Sequence, residues 1–145
     1  MSTKEIQEKL VENMKRWQKI ENASVASTGR IIESTDNPVV RMIMEIIQRD
    51  SQFHYRVQEF IADSLTTKTV AFSTDELGEV WDMIEKHIQL EEKTMELAKE
   101  SLGALKGKKM LVQEYLLNYL MEDEAKHNKI LGHLEKIKKG AYPYA

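Results

Sequence analysis

The sequence has no cysteine, only two prolines and six glycines, and no apolar run approaching the length of a membrane span. Each absence excludes something. Without thiols there are no disulfides, thiolate nucleophiles, iron–sulfur clusters or cysteine-bound zinc, so any metal must be held by His, Asp and Glu. The shortage of proline and glycine leaves long stretches free to be helical. A basic surplus is also lacking: 21 Lys and Arg face 24 Asp and Glu, for a net charge of −3. General nucleic-acid binding is therefore not expected. A span of roughly 20 apolar residues is missing and the first ten residues are polar, so no membrane anchor or signal peptide is expected and cytoplasmic residence is the default. At 145 residues the chain is read as one domain able to bury a core.

What is present is helical periodicity, in four long segments. The first is expected over about 3–34, with Ile6, Leu10, Trp17, Ser24 and Ile31 on one face. It ends at "STDNP", where Pro38 suits the first position of the next helix. The second, about 38–64, carries Val39, Ile43, Ile46, Phe53, Val57 and Ile61. "LTTKTVAFST" follows with no helical stripe, and Ser73 with Glu76 fits a capping box for the third helix. That helix is expected to reach about Leu102, with Leu77, Val80, Ile84, Ile88, Met95 and Ala98 inward. "GALKGKK" is a break, and the fourth helix, about 110–138, uses Leu116, Leu120, Ile130, Leu134 and Ile137.

Four helices of this length bury their stripes against one another, so the fold expected is all-α, a four-helix bundle. The ten-residue segment after the second helix reaches about 33–36 Å when extended. It could cross the length of the bundle, and a simple αα turn rarely needs so many residues. A crossover between the second and third helices is preferred, with a hairpin loop as the alternative.

The stripes carry residues that cores normally exclude. Asp50 and His54 lie in the second, His87 and Glu91 in the third, Asp123, Glu124 and His127 in the fourth, and Glu21 in the first. All fall near mid-helix and would meet in one layer. His–acid spacing alone proves little in so acidic a chain, and one buried His–Asp pair is ordinarily a satisfied core hydrogen bond. Several in one layer need a cation, and nitrogen and oxygen donors suit iron, manganese or zinc. His133 has no acid three or four residues away and serves as an internal contrast. The aromatic residues are read as packing, and the lysines near the end of the fourth helix as a solvated face.

"EAKH", Glu124 to His127, matches the Glu-x-x-His element of the ferritin-like di-iron proteins, and the chain resembles that superfamily, including its rubrerythrin group, in architecture. The resemblance implies a ferritin-like bundle with Glu21, His54, His87, Glu91, Glu124 and His127 as metal ligands. Aligning "DSQFH" with "DEAKH" puts Ser51 where the second helix would carry its ligand Glu. Asp50 and Asp123 then stand one residue earlier, as supports of a metal-bound His or, for Asp50, as the replacement ligand. His87 is additional to the usual set, and the centre is either two irons or a single ion.

The chemistry implied is oxidation of Fe(II) by O₂ or peroxide, as in a small ferroxidase or a rubrerythrin-like peroxidase. Electrons would come from an external donor, since no rubredoxin-type site can exist without cysteine. A homodimer is compatible with such a bundle. Two other classes remain: a metal-free structural or interaction bundle whose polar layer sets helix register, and a phosphotransfer bundle, faintly suggested by "LKG" at 105–107 but lacking a His just before it.

Overall fold

The structure, a computed structural model, describes residues 1–140. Four helices account for most of them: α1 (Thr3–Ser34), α2 (Pro38–Ser64), α3 (Thr74–Leu105) and α4 (Leu111–Lys138). The described residues contain no strand. Among the described residues no helix is long and apolar enough to cross a membrane.

Local chemistry sets the boundaries. Ser2 opens α1 through a capping box with Glu5, whose carboxylate accepts from the Ser2 backbone N–H at 2.6 Å. That bond, with a further one to the Ser2 side chain, holds the Glu5 carboxyl below its usual range. Asn37 Oδ1 accepts from the N–H groups of Val39 and Val40, and Pro38 sits at the first position of α2, where its missing N–H costs nothing. Ser73 caps α3 by accepting from Glu76 N–H at 3.2 Å, whereas Met110 offers α4 no side-chain cap. α3 continues through Gly103 to Leu105, and the chain turns at Gly107, whose φ of 76° is the left-handed conformation that glycine adopts without strain.

The chain forms two compact units, residues 1–70 and the segment from Ala71 onward. α1 packs on α2 in the first unit, and α3 on α4 in the second. The α1 seam is a run at spacings of three and four: Val11, Met14, Gln18, Glu21, Val25, Thr28 and Ile32 are buried or half-buried. The facing run on α2 is Met44, Gln48, Ser51, Tyr55, Gln58, Ala62 and Leu65. This seam is unusually polar and closes through hydrogen bonds. Gln18 Nε2 donates to the Tyr55 carbonyl at 3.3 Å, Gln48 Nε2 to the Val25 carbonyl at 3.2 Å, and the Ser24 and Ser51 hydroxyls are 2.8 Å apart. The Gln48 amide nitrogen packs over Gly29, where a Cβ would meet it at 3.5 Å, an ordinary contact.

In the second unit the α3 seam carries Trp81, Ile84, Ile88, Glu91, Met95 and Ala98, and α4 answers with Leu117, Met121, Glu124, Asn128, Leu131 and Glu135. Lys138 lies over the Trp81 ring, 4.9 Å from its centroid.

The seams differ from the stripes expected on sequence grounds. Trp17, Phe53, Val57, Val80, Leu120 and Ile130 are exposed rather than buried, Trp17 at 52% and Phe53 at 57%. The reason is that each helix carries two sets of residues at helical spacing, of which the seam set in the first unit is partly polar. One set forms the hairpin seam. The other begins one residue earlier, about 100° round the helix, and includes Trp17 and Ile31 on α1, Ile47 and Val57 on α2, Met83 and Leu90 on α3, and Leu120 and Ile130 on α4. Hydrophobic periodicity favours the second set wherever the seam itself is polar.

Candidate metal centre

At mid-height of the second hairpin, α3 brings Glu91 and α4 brings Glu124 and His127 to one place, with one ligand atom of each within 4.8 Å of the others. Glu124 and His127 are three residues apart and so share a face of α4. Glu91 faces them from the other helix. His127 Nδ1 lies 3.3 Å from Glu91 Oε2 and 3.7 Å from Glu124 Oε2. Two donors held about 2.1 Å from a common ion stand about 3.0–3.5 Å apart, so these separations are close to those of ligands around one metal.

The neighbouring residues orient the donors. Asp123 Oδ2 is 3.5 Å from His127 Nε2, on the ring nitrogen not facing the glutamates, and its other oxygen binds Lys126 Nζ at 2.7 Å. The Thr94 hydroxyl donates to Glu124 Oε2 at 2.8 Å. His87, one turn before Glu91, reaches its Oε1 at 3.0 Å. A hydrogen bond with the Glu124 carboxyl holds Glu91 below the usual carboxylate range; bonds from His127 and His87 act the same way against the opposing effect of burial. Glu91 is thereby kept as an anion, the form a cation requires.

The first hairpin repeats part of this pattern. Glu21 is buried in the α1 seam at 6% exposure, and His54 Nδ1 approaches its Oε2 at 3.3 Å, as His127 approaches Glu91. Glu21 thus corresponds to Glu91, His54 to His127, Asp50 to Asp123 and Ser24 to Thr94. Where α4 offers Glu124, α2 offers Ser51, buried and bonded to Ser24; where α3 offers His87, α1 has Trp17.

Of the residues singled out from sequence, the structure brings together Glu91, Glu124, His127, His87 and Asp123 in one hairpin, and Glu21 with His54 in the other. Asp50 is exposed and makes no hydrogen bond or ion pair among the described residues. One residue that sequence reasoning passed over stands beside Glu21. Gln58, one turn after His54 and only 4% exposed, donates its Nε2 to Glu21 Oε2 at 3.3 Å. The signal available for it was its place on the seam. No protein-family model matches this chain, and neither a curated protein nor a solved structure does.

Proposed function

We propose that this chain is a metal-binding carboxylate protein of ferritin-like type, with iron as the metal and ferroxidase or peroxide- and O₂-reducing chemistry as its activity. The observation that carries the reading is the spacing of Glu91, Glu124 and His127, which fits donors about one ion. The exposed apolar face beside the seam of every helix supports the wider architecture, because a helix in a four-helix bundle meets two neighbours. In a bundle of that type residues 65–73 would form the crossover between α2 and α3. The proposed ligands are Glu21 and His54 in the first hairpin and His87, Glu91, Glu124 and His127 in the second.

Bound iron would supply one-electron oxidation by O₂ or peroxide, with electrons returned by an external donor. The chain's own residues hold and tune it. Glu91 and Glu124 contribute charge, His127 and His54 neutral nitrogen, and Asp123 fixes the orientation of His127 through its second nitrogen. Manganese or zinc would suit the same donors. A homodimer is part of the proposal.

A metal-free reading has one observation in its favour: Glu21, Glu91 and Glu124 already have hydrogen-bond partners, as in a polar layer that sets helix pairing. Elemental analysis of protein purified without added metal, followed by aerobic Fe(II) titration monitored by absorbance, separates the two. Stoichiometric transition metal and saturable iron oxidation are expected. Neither appearing would leave the structural reading standing.

A further inference from the structure

Gln58 is buried on the α1–α2 seam with its amide nitrogen on Glu21, yet its carbonyl Oε1 has no hydrogen-bond partner. An orphaned acceptor at 4% exposure is costly, and a well-packed seam ordinarily avoids it. The same glutamate oxygen, Oε2, is approached by His54 Nδ1 at 3.3 Å and by Gln58 Nε2 at 3.3 Å. His54 and Gln58 are four residues apart, so α2 projects them side by side, one turn apart, over the carboxylate that α1 presents. Turning the amide over exchanges its oxygen and nitrogen without changing its shape. That would put Oε1 against an anion, which is repulsive unless a cation lies between them.

We propose that the first hairpin holds its own divalent-cation site, formed by Glu21 Oε2, His54 Nδ1 and the Gln58 amide oxygen. The inference rests on the metal-binding reading above and adds to it a ligand and an inequality between the hairpins. Gln58 supplies the third donor that Ser51 cannot, since Ser51 stands where α4 has Glu124 and is engaged with Ser24. The Glu91, Glu124 and His127 cluster offers two carboxylates and an imidazole. The Glu21 site offers one carboxylate, one imidazole and a neutral carbonyl. With one negative charge fewer, it binds the same dication more weakly. The ion there is the exchangeable one.

The test is Mn(II) binding to the full chain after removal of metal with a chelator, followed by calorimetry and by the electron paramagnetic resonance signal of free Mn(II). Two classes of site are expected, one ion each and at least tenfold apart in affinity. Gln58→Leu should weaken the weaker class at least tenfold and leave the tighter within twofold. Gln58→Glu, which keeps the shape and adds a charge, should strengthen the weaker class at least tenfold, and it decides the matter where Gln58→Leu fails to fold. His127→Ala should remove the tighter class alone. A tight class with no second class, or a second class indifferent to Gln58→Glu, overturns this inference and leaves the metal-binding reading in place. No binding of Mn(II), Fe(II) or Zn(II) in either class overturns both.

Discussion

Glu91 is held in its charged form by groups from both helices of its hairpin, with Glu124 and His127 across the seam and His87 on its own helix. A carboxyl with a depressed folded value stabilises the protein above its ordinary titration range and loses that contribution as acid protonates it. The advantage of the metal-free protein over Glu91→Gln in urea unfolding should therefore be full at neutral pH. It should shrink as the pH falls below about 4.3, the ordinary glutamate value. A gap that stays constant into strong acid would contradict the bonds assigned to Glu91. Metal binding offers a second test at this scale. His127→Ala should abolish the tighter class of site and His133→Ala should leave it, while Asp123→Asn, which keeps the shape but weakens the hold on His127 Nε2, should cost that class about 10- to 100-fold in affinity. Equilibrium dialysis against Zn(II) gives all three. Equal loss in the His133 variant would remove the assignment.

The helices themselves were largely legible in the sequence, because proline, serine and asparagine mark their starts. Pro38 and Ser73 place α2 and α3 as expected. The end of α3 was harder to read. "GALKG" looks like a break from its first glycine, but nothing in Gly103 forbids a helix, and only Gly107 takes the left-handed turn. The weakest start is that of α4, where Met110 leaves the first amide groups without a side-chain acceptor. Met110→Asp should stabilise the protein by about 1 kcal/mol, read as a higher midpoint in thermal unfolding; no change would mean that another group already satisfies that end. The seams were the least legible feature. Periodicity finds the more hydrophobic of two adjacent sets, and a seam containing Gln18, Glu21, Thr28, Gln48, Ser51 and Gln58 is not hydrophobic. The metal candidates on α3 and α4 survived this difficulty because Glu91 and Glu124 lie on seam positions and His127 on the face beside them. Gln58 did not, since an amide is not among the residue types that mark metal chemistry in a sequence.

At the scale of the molecule, each hairpin has an exposed apolar face, and the proposed ligand histidines are divided between the hairpins, His54 in one and His87 and His127 in the other. Whether such a face is covered in solution can be tested without metal. Leu90 lies on the second face of α3. Leu90→Asp on a face left in water would change stability by no more than about 0.5 kcal/mol, whereas on a covered face it should cost about 2 kcal/mol or more. Chemical denaturation of the full chain distinguishes them, and a negligible effect would count against the bundle.

The contact of Glu21 with His54 and Gln58 also governs how the first two helices align. Sliding α2 by two turns in one direction would set Glu21 against Ile61 and Leu65, and in the other against Ile47 and Ser51. The first displacement strands the carboxylate among apolar groups and the second leaves it one serine hydroxyl in place of an imidazole and an amide, so the observed alignment is favoured over both. Leucine at position 21 would bury more comfortably and would remove that discrimination. A single acid thus keeps the hairpin from settling into a neighbouring frame before any ion arrives.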